Sequence, residues 1–171
     1  MKILNKILIV LGSLIALILI ITFFLPSEFK VERTAEIKAP AYKIYYQIAT
    51  MAYWEKWDPW MALDLKQKRT YKGMPSGIGS SYSFDSENSD VGKGTLTVIN
   101  TIQPREIDIS LKFDNMQDSS RGVFLLSEKS GVTQIKWTME GKMSGFYKWF
   151  NFLIDGMVGK LFEKGLAKLK E

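Results

Sequence analysis

The chain has 171 residues, 46% of them hydrophobic, and contains neither cysteine nor histidine. These two absences exclude disulfides, thiolate or histidine metal ligands, lipid-modified cysteine anchors and the nucleophile–histidine pairs of common hydrolases. The formal net charge of +5 is spread over 23 basic and 18 acidic residues, which argues against a dedicated nucleic-acid-binding surface.

The first predicted element is an apolar segment at residues 7–25. Its 19 uncharged residues would span about 28 Å as a helix, close to the ~30 Å hydrocarbon core of a bilayer. A cleaved signal peptide is the alternative, but its apolar region is typically about 7 to 15 residues long and ends at small residues. This run is longer and ends in the bulky sequence Phe23-Phe24-Leu25-Pro26. We therefore predict a single-pass transmembrane anchor over residues 1–26.

The orientation of this anchor rests on the basic residues at its two ends, which nearly balance. Lys2 and Lys6 precede the apolar run, and Lys30, Arg33 and Lys38 follow it. A short basic tail resists translocation, whereas a longer domain crosses largely regardless of its charge. We therefore expect a cytoplasmic N-terminus and a domain on the extracytoplasmic side.

Residues 27–171 are expected to form one domain, which begins with a strand and two short helical segments. The alternation from Phe29 to Lys38 predicts the strand. Pro40 suits the first turn of a helix that runs to about Thr50, because Ile44, Tyr45, Ile48 and Ala49 recur at helical spacing. A second short helix or turn carries Trp54, Trp57 and Trp60.

Six further strands and a long helix are predicted after this region. The strands are expected at 65–71, 80–85, 92–103, 106–113, 121–128 and 132–141, where alternating apolar residues are separated by turn signals. From Gly145 the apolar residues recur every three or four positions, which predicts one helix of about 25 residues. We expect its apolar face to belong to the core; a membrane-surface or cofactor role is the less favoured alternative.

This order of elements resembles the helix-grip fold of the START/Bet v 1-like (SRPBCC) superfamily, particularly its polyketide cyclase/dehydrase and lipid-transport branch. The resemblance covers residues 29–171. It rests on Val31-Glu32-Arg33 and Ile37-Lys38-Ala39-Pro40, Trp54 to Trp60, Tyr71-Lys72-Gly73 with Gly77 to Ser80, Thr133 to Gly141, and Phe162 to Leu166. It implies an α+β fold in which a curved antiparallel sheet of about seven strands wraps around a long C-terminal helix. It also implies a hydrophobic pocket for lipids, polyketides, sterols, quinones or hormones.

The candidate ligand-binding residues are the tryptophan cluster and the side chains expected to face inward from the strands and the helix. They are Trp54, Trp57, Trp60, Tyr82, Phe84, Phe113, Trp137, Met139, Phe150 and Met157. No catalytic residue is predicted, because no two polar groups are expected to converge; Asp58, Glu140 and Asp155 are the carboxylates considered. Asp85, Glu87 and Asp90 are interpreted as a solvated turn, and no metal or cofactor is predicted.

The preferred hypothesis is a membrane-anchored, non-enzymatic binding module for a hydrophobic small molecule or lipid. A cyclase or dehydratase-like enzyme and a regulatory protein-interaction domain with a filled core are the alternatives. The volume under the C-terminal helix discriminates between them, because several hundred Å³ favours a ligand-binding or enzymatic role and a filled interior favours protein interaction. The sequence does not indicate an oligomeric state.

Overall fold

The computed structural model describes residues 2–171 of the chain. The α-helices are α1 (Lys2–Phe24), α2 (Ala41–Ala49) and α3 (Asn151–Lys168), and two 3₁₀ helices span Met51–Lys56 and Gly145–Phe150. The strands are β1 (Glu28–Ile37), β2 (Lys68–Lys72), β3 (Ser81–Asp85), β4 (Lys93–Ile102), β5 (Glu106–Phe113), β6 (Ser120–Lys129) and β7 (Val132–Lys142).

All seven strands form one antiparallel sheet in the order β1-β7-β6-β5-β4-β3-β2. The strands form where apolar residues alternate with polar ones, so that one face of the sheet is buried. In β5, for example, Ile107 and Ile109 are fully buried. The sheet and the C-terminal helix that packs against it confirm the predicted α+β, helix-grip type of architecture.

One end of the sheet lies next to α1, and we call it the anchor-proximal end after the role predicted for α1. It is the end at which β1 begins, because only residues 25–27 separate α1 from β1. The strands β5 and β7 end there as well, since β1 pairs antiparallel with β7 and the strands alternate in direction across the sheet. The backbone N–H of Met143 donates to the carbonyl oxygen of Ser27 at 2.7 Å, which fixes the junction between α1 and the domain.

The C-terminal helical region differs from its prediction in two ways. It is a 3₁₀ helix followed by an 18-residue α-helix rather than one continuous helix, and tighter 3₁₀ turns are common at helix N-termini. Burial is confined to its second half, at Gly159, Phe162, Gly165 and Leu166. The expectation that the whole apolar face belongs to the core was therefore wrong for the exposed side chains of Phe146, Trp149, Phe150, Leu153 and Met157, whereas Ile154 packs against the core.

Two glycines of α3 allow its close approach to the rest of the domain. A Cβ atom at Gly165 would lie 2.9 Å from Cδ of Pro59 and 3.2 Å from the ring of Trp137. A Cβ atom at Gly159 would overlap the guanidinium of Arg33. Because glycine has no side chain, the helix can lie directly on these groups.

The guanidinium of Arg33 ties α3 to β1. It donates to Oδ1 of Asp155 at 2.9 Å and to Oε1 of Glu163 at 2.8 Å. The hydrogen bond from Arg33 holds the pKa of the Asp155 carboxyl below its ordinary value. The helix is thus held on the edge strand by an ion-pair network as well as by apolar packing.

Helix α1 is the one helix within residues 2–171 that is long and apolar enough to cross a membrane, over Ile3–Phe24. A signal sequence near an N-terminus can meet the same criteria of length and hydropathy. Its apolar side chains are exposed to the surroundings of the protein, which is the state a lipid-facing helix requires.

Candidate ligand-binding site

The interior between the sheet and α3 is packed with aromatic rings. Trp54 and Trp57 lie with their ring centroids 4.3 Å apart. Trp137 stacks on Phe162 of α3 with a centroid distance of 3.7 Å and on Phe124 with a distance of 4.8 Å. This stacking fills the space under the second half of the helix and holds the helix over β7.

The 3₁₀ helix and the turn that follows it position two of these indoles. Nε1 of Trp54 donates to the carbonyl oxygen of Ile48 at 2.8 Å, and Nε1 of Trp57 donates to that of Gln47 at 3.2 Å. Both indoles are therefore buried with their N–H groups satisfied at the end of α2. They are part of the buried core.

A polar cluster of Asp58, Arg69 and Tyr82 lies beside these rings. The side chains of Arg69 and Asp58 are only 4% and 1% exposed, and Nη2 of Arg69 donates a short hydrogen bond to Oδ2 of Asp58. The same oxygen accepts from the hydroxyl of Tyr82 at 3.0 Å, while Oδ1 accepts from the backbone N–H of Trp60 at 3.0 Å. Arg69 also donates from Nε to Oε1 of Gln67 at 3.2 Å.

The electrostatics of the cluster follow from this burial. Desolvation raises the pKa of Tyr82 well above its ordinary value, and the neighbouring Asp58 raises it further. Burial alone would lower the pKa of Arg69, but Tyr82 and Asp58 together hold it above its ordinary value. The cluster therefore consists of a guanidinium, a carboxylate and a neutral phenol, and it has no net charge.

Arg69 and Trp137 each have one buried donor without a hydrogen-bond partner. Among residues 2–171, no group accepts a hydrogen bond from Nη1 of Arg69 or Nε1 of Trp137. An unsatisfied buried donor costs about 1–3 kcal/mol, more when it is charged, and such groups are rare in folded proteins. Because guanidinium and indole N–H groups can only donate, the molecule that satisfies them must supply an acceptor.

The cavity that Arg69 and Trp137 help to line is small. Its volume is about 30 Å³, enough for one or two water molecules, whereas pockets for ordinary small ligands hold roughly 300–1,000 Å³. Its walls are formed by Trp54, Asp58, Trp60, Gln67, Arg69, Tyr82, Phe84, Val91, Leu96, Ile109, Leu111, Phe113, Trp137 and Met139. By the criterion derived from the sequence, this nearly filled interior favours a protein-interaction role over a pocket that is open at rest.

The cavity extends towards the anchor-proximal end of the sheet. Phe113 is the last residue of β5, and Met139 lies three residues before the end of β7. Both line the cavity, and both strands end at the side of the domain that α1 joins. A ligand that enters from this end would approach the cavity from the side of α1.

The structure brings together seven of the ten residues predicted to bind a ligand. The seven that line the cavity are Trp54, Trp60, Tyr82, Phe84, Phe113, Trp137 and Met139. Trp57 is buried in the core behind the wall. Phe150 and Met157 were predicted to face the cavity, but they are 50% and 61% exposed and point away from it. They lie on a side of the helical region that is exposed, so their periodicity identified an apolar face but not what covers it.

The convergence of polar groups in the cavity was not predicted from the sequence. No two of them were expected to meet, yet Asp58, Arg69 and Tyr82 are in direct contact. Strand parity carried the signal, because Arg69 lies two residues before Tyr71 and pairs across the sheet with Phe84. Residues i and i+2 of a strand share one face, so Arg69 points inward with Phe84 and Tyr82.

Three other carboxylates considered from the sequence, Asp85, Glu140 and Asp155, lie on the outside of the domain. Glu140 pairs with Lys30 at 3.4 Å, Asp155 pairs with Arg33, and Asp85 pairs with Lys93 at 2.7 Å. Glu140 and Asp155 therefore point outward, as their positions in β7 and α3 predicted. Within residues 2–171, no group of three or more acidic side chains is arranged to hold a metal ion.

No family model and no curated protein matches this sequence. Solved structures match its fold. SA2116, a protein of unknown function from Staphylococcus aureus, is 12% identical with a TM-score of 0.62, over 83% of this chain and 92% of its own. The Aha1 dimer from Colwellia psychrerythraea is 16% identical with a TM-score of 0.56, over 83% and 98%. Ara h 8.0201 is 9% identical with a TM-score of 0.55, over 83% and 97%.

These identities are low, so the likeness concerns the fold. Together with the seven-stranded antiparallel sheet and α3, it identifies this chain as a helix-grip domain. A fold of this kind hosts many unrelated functions, and function is therefore argued from the site.

Proposed function

We propose that this chain is a membrane-anchored binding module for a small hydrophobic molecule or lipid that carries a neutral hydrogen-bond acceptor. The observation that carries the proposal is the pair of unsatisfied buried donors, Nη1 of Arg69 and Nε1 of Trp137, on the wall of an aromatic cavity. A carbonyl or hydroxyl oxygen in the cavity would accept a hydrogen bond from either donor, while the rest of the molecule would contact apolar side chains.

The charge balance of the cluster favours a neutral acceptor over a carboxylate. Asp58 already neutralises Arg69, so a ligand carboxylate would bring an unpaired negative charge into a buried apolar site. The desolvation of such a charge costs several kcal/mol. A ketone, ester, quinone or alcohol oxygen accepts the same hydrogen bonds without this cost.

Binding requires the cavity to expand, and Trp60 is the side chain best placed to allow it. Trp60 is only partly buried, and its ring contacts Trp137 and Phe162 at centroid distances of 6.3 and 6.2 Å. It lies in a segment of turns between the 3₁₀ helix and β2. Outward rotation of this indole would open the cavity without unpairing any strand.

The proposed anchor is α1, with the N-terminus cytoplasmic and the domain on the extracytoplasmic side. Its length and composition support this role, as does the exposure of its apolar side chains. The three residues between α1 and β1 allow at most about 10 Å of separation. The domain would therefore act on molecules at its own membrane rather than carry them between membranes.

A matched pair of ligands tests the proposal. The full chain in micelles is titrated with 2-acetylnaphthalene and with 2-ethylnaphthalene, which have similar size but differ in one carbonyl oxygen. A hydrogen bond to a charged donor contributes about 1.5–3 kcal/mol, so the acetyl compound should bind roughly tenfold or more tightly. Equal affinities, or no binding of either compound, would sink the proposal.

Two tryptophan variants locate the preference within the protein. Trp137→Phe keeps an aromatic ring but removes the unpaired N–H, so the preference for the acetyl compound should shrink. Trp57→Phe is the matched control, because its N–H already donates to Gln47 and its side chain does not line the cavity. That variant should retain the preference of the unmodified chain.

A regulatory protein-interaction domain is the second candidate, and the nearly filled cavity of about 30 Å³ favours it. It predicts that the full chain purified from membranes carries a bound protein partner and fails to bind either naphthalene. A cyclase or dehydratase activity is not proposed, because both oxygens of the cavity carboxylate, Asp58, are already engaged by neighbouring donors.

A further inference from the structure

An exposed apolar surface covers the 3₁₀ helix and the first half of α3, at residues 146–157. Seven of its side chains are between 38% and 66% exposed: Phe146, Tyr147, Trp149, Phe150, Phe152, Leu153 and Met157. Contiguous apolar surfaces of this kind on a folded domain mark interaction sites. The composition, rich in aromatic residues, is also that of segments at the boundary between lipid and water.

Side-chain hydrogen bonds connect this surface to the end of α1. Nε1 of Trp149 donates to the hydroxyl of Thr22 at 2.8 Å. Nδ2 of Asn151 donates to the carbonyl oxygen of Pro26 at 2.6 Å, and Nζ of Lys148 donates to that of Phe23 at 3.4 Å. The surface is therefore held at the level of residues 22–26.

The length of α1 sets the depth of that level. The 22 residues of Ile3–Phe24 extend about 33 Å as a helix, slightly more than the ~30 Å hydrocarbon core. The end of α1 then lies at the boundary between hydrocarbon and headgroups. Trp149, which is bonded to Thr22, lies at the same boundary, and the apolar surface extends from it.

We infer that residues 146–157 dock on the lipid bilayer that holds α1, an inference that rests on the proposed anchor. Its apolar side chains would enter the interfacial region, and Lys148 would face the phosphates of the headgroups. The surface is continuous with α1 through three hydrogen bonds, so the same membrane that surrounds α1 also covers it. The anchor-proximal end of the domain, with the cavity residues Phe113 and Met139, would thereby face the membrane.

Single-cysteine labelling tests this inference on the full chain, which contains no natural cysteine. Leu153→Cys and Met157→Cys carry an environment-sensitive NBD fluorophore on exposed positions, where little effect on folding is expected. Lys129→Cys is the control, because it lies at the other end of β6, roughly 30 Å from the anchor-proximal end. The chains are reconstituted into vesicles of phosphatidylcholine and phosphatidylglycerol, with near-UV circular dichroism to check the fold of each variant.

The inference predicts a blue-shifted emission at 153 and 157, and several-fold stronger quenching there than at 129 by lipids spin-labelled near the headgroup. Labels at 153 and 157 that behave like the label at 129 in a stably inserted chain would overturn docking while the anchor stands. Release of the chain by alkaline carbonate would instead refute the anchor. A blue shift that grows with the protein-to-lipid ratio and is not quenched by lipid would show that a second copy covers the surface.

Discussion

The first prediction concerns how much the buried ion pair of Asp58 and Arg69 contributes to the free energy of unfolding. Replacing Arg69 with methionine keeps most of the apolar stem but leaves a carboxylate that is 1% exposed without its counter-charge. Breaking a buried pair by removing one partner costs about 3–5 kcal/mol. This is a large fraction of the roughly 5–15 kcal/mol by which domains are stable, so the variant should fold but unfold at much lower denaturant concentration.

A second replacement should reverse part of this loss. Adding Asp58→Asn to Arg69→Met removes the uncompensated charge while retaining an acceptor for the N–H of Trp60 and a partner for the hydroxyl of Tyr82. We therefore expect the double variant to be more stable than Arg69→Met alone, by about 1–3 kcal/mol. Such a gain in stability from a second core substitution would indicate that Arg69→Met leaves the Asp58 carboxylate buried without a counter-charge.

An exposed ion pair in the same sheet provides the control. Lys93 and Asp85 approach to 2.7 Å across β3 and β4, with side chains that are 56% and 54% exposed. Because solvent screens such pairs, Lys93→Met should cost no more than about 1 kcal/mol. Urea unfolding of the full chain in micelles, followed by near-UV circular dichroism, measures all of these variants.

Two results would refute the reasoning. If Arg69→Met costs no more than Lys93→Met, then the guanidinium is not needed to neutralise the carboxylate. If the double variant is as unstable as the sum of its single variants, then the two side chains do not interact energetically in the folded protein.

Three further predictions follow from contacts of the helix, the edge strand and the cavity. In Gly156→Ala the added Cβ meets no atom within 4 Å, so the variant should raise the free energy of unfolding by up to about 1 kcal/mol. In Gly165→Ala the added Cβ meets the ring of Pro59 at 2.9 Å, so the variant should lower the free energy of unfolding by about 1–3 kcal/mol. Urea unfolding distinguishes the two variants, and equal effects would contradict the packing of α3. Burial and a hydrogen bond to Glu55 raise the pKa of Tyr71 to about 12. The contribution of the Tyr71 hydroxyl to stability is therefore complete below pH ~10 and is lost as pH rises towards 12. Tyr71→Phe should reduce this loss of stability at alkaline pH, and an unchanged dependence of unfolding on pH would contradict the prediction. Trp60→Ala should enlarge the cavity and strengthen binding of the apolar fluorophore 1-aminoanthracene by fluorescence titration, whereas unchanged binding would mean that this indole does not limit access.

The strands could be predicted because one face of each is buried and the alternation is a local property. β5 was predicted at Glu106–Phe113 and lies there. β2 was expected from Leu65 but begins at Lys68, and Leu65 is 78% exposed in a turn. A single apolar residue in a polar stretch cannot indicate by itself whether the sheet will cover it.

The candidate site could be predicted where its residues are apolar and not where they are charged. Arg69 lies between Lys68 and Thr70 in a short, polar edge strand, where only its strand parity with Tyr71 indicates that it faces inward. Its surroundings are formed by Asp58 and Tyr82. Asp58 lies 11 residues from Arg69 along the chain, and Tyr82 lies 24 residues from Asp58. The prediction that Phe150 and Met157 face the cavity was wrong for a different reason, since periodicity identifies an apolar face but not what covers it.

The short edge strand β2 affects how neighbouring copies of the chain would meet. Its outer side has unpaired backbone groups that could pair with another sheet, and confinement of anchored chains to a plane would raise the frequency of such encounters. β2 has only five residues, and the exposed Lys68 and Lys72 lie at its two ends. Short edges that carry lysine resist strand addition. β2 can thus remain uncovered without joining one domain's sheet to the next.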